Sequence, residues 1–244
     1  MCGIAGIFNR KGRTADPSLV RKMTDAMSHR GPDADGLWAE QEVALGHRRL
    51  SIIDLSSAAN QPFSDASGRY KMVFNGEMYN FQEVRAMLPD YPFQTSGDTE
   101  VLIAAYAKWG ADCIRHFKGM FAFVVWDRQE KSLFMARDRM GVKPLYYYLN
   151  DEQLIFSSEV RSILATGQVE KKIDRQALVE YFSYQSISYP WSPIKGIHQL
   201  EAGSWKKIGP DGVTEGRYWD VTTPNMNFDF GDVPATRKHI RELL

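Results

Sequence analysis

The second residue of the chain is a cysteine, and a cysteine at that place has a chemistry of its own. Once Met1 is removed, Cys2 carries a thiol and a free α-amine on one residue. Their ordinary pKa values, near 8 for the amine and about 8.5 for the thiol, let the amine take the thiol proton close to neutral pH. A terminal nucleophile paired with its own amine needs no catalytic histidine. That matters here, because no Ser-His-Asp or Cys-His-Asn pattern declares itself. The five histidines, at 29, 47, 116, 198 and 239, have no metal-ligand spacing, so no metal is expected. Taken alone, a cysteine after the initiator is usually just a small residue that permits Met removal. The other thiol, Cys113, reads as buried and inert.

A nucleophile at a chain end must be presented at a fixed point, and residues 3–8 read as a short buried strand that could do so. Asp16-Pro17 opens a helix through Met27, and His29-Arg30-Gly31-Pro32-Asp33 breaks it. Strands are expected at 36–40, 49–53 and 70–74. Residues 98–109 read as the clearest helix, with Val101, Leu102, Ala105 and Trp109 on one face and Gly110 as its stop. Two hairpins follow, 120–127 with 132–136 and 145–149 with 154–156. Helices start near Ser158 and at Asp174, and a last strand is expected at 203–208. Strands with helices between them give a layered α+β domain.

Of 244 residues, 43% are hydrophobic and 25% charged, the balance of a globular chain. Lys plus Arg and Asp plus Glu are both 30, so nothing suggests a nucleic-acid or membrane surface. No run of 18 apolar residues suggests a spanning helix, and residues 1–12 lack the basic region of a signal peptide. Two cysteines make no disulfide framework. The expected location is the cytoplasm.

Eight segments occur in order: CGIAGIF at 2–8, HRGPDADG at 29–36, GHRRLSIIDL at 46–55, FNGEMYN at 74–80, SGDTEV at 96–101, GMFAFVVWD at 119–127, RDRMGVKPLYY at 137–147 and SSEVRSIL at 157–164. Together they resemble the class II glutamine amidotransferase domain of the asparagine synthetase family, over about residues 2–210. The resemblance implies a four-layer αββα sandwich of the N-terminal nucleophile hydrolase type, with Cys2 as nucleophile. It implies that the chain hydrolyses L-glutamine to glutamate and ammonia through a Cys2 thioester.

The same resemblance distributes roles around Cys2. Arg49 would bind the substrate α-carboxylate, which suits the two-pronged guanidinium. On a strand Arg48 and Arg49 point to opposite faces, so only one can line the pocket. The Asn75 side-chain amide and the Gly76 N–H would form the oxyanion hole, where an Asn-Gly pair is otherwise most often a tight turn. Asp98 and Glu77 are candidate acceptors for the substrate ammonium. Asp98 could instead cap its helix, and Glu77 could orient Arg49. Ser51, Ile52 and Ile53 are expected along the pocket wall.

In the family the ammonia passes to a synthetase domain that uses Mg-ATP and carries an SGG-x-DSS loop, a motif these residues lack. No cofactor is therefore expected for this chain. Residues 1–220 are read as the glutaminase unit, and 221–244 as a linker and the start of that ATP-dependent domain. The missing synthetase domain is the expected partner, with a homodimer as the self-assembly to test. Two alternatives stand beside this reading. One is a relative that aminates a different acceptor in an antibiotic or surface-polysaccharide pathway, and the other is a non-catalytic regulatory module of the same fold.

Overall fold

A computed structural model describes residues 1–222 and 231–243. Residues 223–230, within the segment expected to begin as a linker at 221, lie outside the described residues. Twelve strands are described, in two antiparallel sheets. The first has the order β10 (Ile197–Gln199), β8 (Tyr146–Leu149), β9 (Gln153–Ser157), β1 (Gly3–Asn9), β3 (Val43–Arg49), β2 (Ala34–Glu40). The second runs β12 (Val213–Arg217), β11 (Ser204–Ile208), β7 (Ser132–Arg137), β6 (Gly119–Asp127), β5 (Tyr70–Met78), β4 (Phe63–Ser64).

Period-two alternation sorts the side chains into layers. In β1, Ala5 and Ile7 pack with Val20 and Met23 of helix α1 (Pro17–Ala26) and with Met27 at its C-terminal cap, while Ile4 and Phe8 turn the other way. In β3, Ala44 faces α1, whereas Val43 and Leu45 face the second sheet. From that second sheet Val73, Val124, Trp126 and Met135 meet them, with Phe8 and Trp126 at 5.2 Å between ring centroids. The opposite face of the second sheet, Phe74, Phe121, Phe123 and Phe134, packs on helix α3 (Asp98–Trp109). The layers are thus helix, sheet, sheet, helix, the expected sandwich. Helix α4 (Val160–Ala165) joins α1 on the outer face of the first sheet, and α2 (Phe81–Ala86) joins α3 on the second. Fully burying side chains of this size contributes about 1.5–3 kcal/mol each, so the inter-sheet layer is a rigid floor.

Several boundaries follow the local chemistry. Asp16 caps α1 by accepting the Ser18 N–H, with Pro17 in the first turn, and Asp174 caps α5 (Arg175–Tyr184) likewise. The strand expected at 49–53 is not formed. The strand is Val43–Arg49, and the chain then leaves it as a loop that exposes Ile52 and Ile53. Strand β5 does not stop at Phe74 but runs through Asn75 and Gly76 to Met78, paired along its length with β6. The short strands β4, β10 and β12 are additional to the expected set. Helix α6 (Val233–Leu243) occupies the terminal segment, and no described helix is long and apolar enough to cross a membrane.

Candidate active site

At one end of the sandwich the apolar filling between the sheets gives way to a cavity of about 340 Å³. Its lining includes Cys2, Arg49, Ile52, Ile53, Asn75, Gly76, Glu77 and Asp98, the site residues expected from the sequence with the exception of Ser51. Ser51 is not among them, and its N–H is instead bonded to Asp33. The alternation described above accounts for most of this convergence. Cys2 continues the phase of Ile4 and Phe8, Arg49 that of Val43 and Leu45, and Asn75 and Glu77 that of Val73, so all four turn inward between the sheets. Arg48 is turned outward and bonds Thr24 and Asp25 of α1.

The Cys2 thiol is partly buried and lies against Leu50, whose N–H donates to Sγ at 3.4 Å. Burial raises its pKa, while the Leu50 N–H, the positive chain terminus, Arg49 and Lys143 pull the other way. The Cys2 carbonyl accepts Arg30 Nε at 2.9 Å, and Arg30 also pairs with Glu159. The residue is therefore held from behind by its backbone. Gly3 beside it is closely packed, since a Cβ there would lie 2.7 Å from Met27 Sδ and Met27 would have to move.

Opposite Cys2, the edge of β5 presents donors. Beyond the two-residue strand β4 this edge has no strand neighbour. The Phe74 N–H is taken by Gln61 Oε1 at 2.6 Å and the Met78 N–H by Asp98 Oδ2 at 2.9 Å. Gly76 lies between them in the same phase, so its N–H points from the same edge into the cavity. The carbonyl of Phe74 accepts from His47 Nε2 at 3.2 Å, a tie between the two sheets. Burial pushes the His47 pKa down to about 3, so the ring is neutral at physiological pH and carries its proton on Nε2. Gly76 is dictated by close packing, since a Cβ would meet the Met120 carbonyl at 2.3 Å.

Asn75 is 1% exposed, and its buried Nδ2 has no hydrogen-bond partner among the described residues. An unpaired buried amide costs roughly 1–3 kcal/mol, a cost a structure bears where a ligand completes the bond. Asn75 thus offers a waiting donor beside the Gly76 N–H and facing Cys2.

Arg49, 8% exposed, is fixed by the loop that follows it. Its Nη1 donates to the Ser56 carbonyl and to Asn60 Oδ1, both at 2.7 Å, and Nη2 donates to the Asp54 carbonyl. These bonds leave two N–H groups, on Nε and Nη2, to meet a carboxylate. Loop carbonyls, rather than Glu77, orient the guanidinium. Asp98 opens α3, but the N-cap residue is Gly97, and the Asp98 carboxylate reaches across to Met78. Burial pushes its pKa up to about 6, opposed by backbone N–H donors and reinforced by the Glu77 charge.

Sequence reasoning missed Lys143, which lines the cavity while 5% exposed, and the supporting residues His47, Gln61 and Arg30. Lys143 sits within the RDRMGVKPLYY segment, but nothing in that string marks its side chain as inward. Asp138 accepts the N–H groups of Phe121, Met140, Val142 and Lys143, which folds the loop over the cavity.

A thiol next to the chain terminus, two neutral amide donors and a cation with free N–H groups thus share one cavity. A family model described as glutamine amidotransferase domain matches residues 1–219, and the chain belongs to that family as a catalytic domain of the glutamine-hydrolysing kind. It is 40% identical over 217 residues to asparagine synthetase [glutamine-hydrolyzing] 1 of Bacillus subtilis, covering 87% of this chain and 34% of that protein. To asparagine synthetase [glutamine-hydrolyzing] 3 of the same organism it is 35% identical over 240 residues, covering 96% and 39%. The chain therefore spans about two fifths or less of these relatives. The solved glutamine phosphoribosylpyrophosphate amidotransferase of B. subtilis matches with a TM-score of 0.66 at 19% identity, over 89% of this chain and 49% of that one. At that identity the likeness is one of fold, the four-layer αββα sandwich.

Proposed function

We propose that the chain is the glutaminase unit of an asparagine synthetase-like enzyme, hydrolysing L-glutamine to glutamate and ammonia and passing the ammonia to a synthetase domain. The unpartnered Asn75 Nδ2, buried in a cavity shared with Cys2, is the observation that carries this reading. Arg49 holds the substrate α-carboxylate, Asp98 with Glu77 accepts its ammonium, and Ile52 and Ile53 flank the bound chain. Sγ attacks the side-chain amide carbon while its proton passes to the α-amine of Cys2. The carbonyl oxygen becomes an oxyanion that accepts from Asn75 Nδ2 and the Gly76 N–H. The α-ammonium then gives its proton to the departing nitrogen, so that ammonia leaves and a thioester remains. Water, deprotonated by the same amine, adds to the thioester and releases glutamate and the thiol.

The chemistry requires that Met1 be gone, since a peptide bond at the Cys2 nitrogen removes the base. In the unprocessed chain Met1 itself lines the cavity. Residues 1–220 form the glutaminase unit in this proposal, and 221–244 lead into the ATP-dependent domain, to which any need for Mg-ATP belongs. Aspartate is the favoured acceptor of the ammonia. Both Bacillus relatives described above are asparagine synthetases, which supports that choice. A cytoplasmic location and the absence of a nucleic-acid partner complete the proposal, and light scattering tests for a homodimer.

An electrophilic glutamine analogue tests the assignment. Labelling should be stoichiometric on the Cys2 peptide of Met1-free protein and suppressed by glutamine. Labelling on Cys113, or none at all, overturns it.

A further inference from the structure

Lys143 lines the cavity but has no part in the chemistry above. Its backbone is pinned on both sides, with Asp138 accepting its N–H at 3.0 Å and Arg137 Nε donating to its carbonyl at 2.7 Å. Pro144 and the fully buried Leu145 follow directly. The side chain is therefore aimed by a fixed loop, and its Nζ donates to Met1 Sδ at 3.3 Å. Among the described residues no carboxylate forms an ion pair with it. A thioether is a weak acceptor for the ammonium of a residue only 5% exposed. It also belongs to the one residue whose removal the proposed mechanism requires.

We propose that Lys143 is a positioning residue for the nucleophile: when Met1 leaves, its ammonium faces the Cys2 sulfur and favours the thiolate that attacks the amide. This rests on the reading of Cys2 as a processed N-terminal nucleophile. Apart from the positive chain terminus, the other charges around the sulfur are already engaged or of the wrong sign. Arg49 is bonded to three oxygens of its loop, and Arg30 to the Cys2 carbonyl and Glu159. Asp54 is occupied by Ser56 and Ser96, and Asp138 by its own loop. Glu77 and Asp98 oppose a thiolate. Lys143 and Arg49 both counter the effect of burial on the Cys2 thiol. Through the reaction Lys143 keeps its proton, and the thiol proton still goes to the α-amine.

The test is the pH dependence of Cys2 alkylation by iodoacetamide in Met1-free protein, measured without glutamine. For Lys143→Met the midpoint should move up by about one pH unit and the rate at pH 7 should fall about tenfold. Lys143→Arg should stay within about threefold of the parent, because it restores the charge. A Lys143→Met curve that superimposes on the parent overturns the proposal. If circular dichroism shows Lys143→Met to be unfolded, Lys143→Gln is read by the same criteria. Alkylation needs no substrate turnover, so the two readings fail separately. A Lys143-dependent thiol in a protein that hydrolyses no glutamine sinks only the glutaminase, and an active glutaminase with a Lys143-independent thiol sinks only this proposal.

Discussion

Cys113 is buried and Cys2 partly buried, and burial raises the pKa of each thiol. Their surroundings then diverge. Cys113 lies at 0% exposure in the 3-10 turn after α3, among Val101, Phe117 and their neighbours, and the nearby Asp112 charge pushes its pKa up further. Cys2 stands at a cavity with the Leu50 N–H, Arg49 and Lys143 all working against its burial, and with Asn75 waiting across the gap. The comparison teaches that burial alone makes an inert thiol. A nucleophile needs burial of the groups around it and donors aimed at where charge will appear.

Substitution at the two thiols should give the sharpest contrast. Cys2→Ala is expected to abolish glutamate release, while Cys113→Ala keeps it within about twofold, measured by coupled glutamate assay. Comparable losses at both positions would break the comparison. Asn75→Ala should lower kcat about 10²–10³-fold with little change in KM, because the donor works mainly in the transition state. A change confined to KM would make Asn75 a ground-state contact.

Asp98 supplies a pH test. Its carboxyl ionises at about 6, so glutamine KM should rise as pH falls through that value, when the group proposed to accept the ammonium is neutralised. Without substrate the sign reverses for stability. A carboxyl whose pKa is raised on folding stabilises the fold fully below its unfolded value near 4, and loses that contribution as pH rises through about 6. Asp98→Asn should therefore raise stability by about 1–2 kcal/mol at pH 8 relative to pH 4, while weakening glutamine binding. Chemical denaturation at the two pH values measures it. The smallest effect on turnover is expected for Cys113→Ser, which buries a hydroxyl in an apolar cluster. It should cost about 1–3 kcal/mol of stability and leave kcat unchanged.

Much of the site was legible because period-two alternation is a short-range rule. It separates Arg48 from Arg49 and needs only the knowledge that residues 48 and 49 lie in a strand. Helix α3 was legible through its apolar residues and Gly110. The loop after Arg49 was misread because Ser-Ile-Ile has strand propensity, whereas its actual work is tertiary: its carbonyls fix Arg49 while Ile52 and Ile53 reach the cavity mouth. Asn75-Gly76 looks like a place to turn, and only the pairing with β6 makes it strand. Lys143 and His47 could not be found from spacing, since each gains its meaning from a partner far along the chain: Met1 for Lys143, the Phe74 carbonyl for His47.

The central claim, that Cys2 acts as a nucleophile only when it is the first residue, is tested by one paired measurement. Two preparations differing only in Met1, verified by intact mass, are assayed for glutamate release at pH 7.5. The Met1-free form should turn over and the Met1-bearing form should not. Equal activity in both would show that the α-amine is not the base.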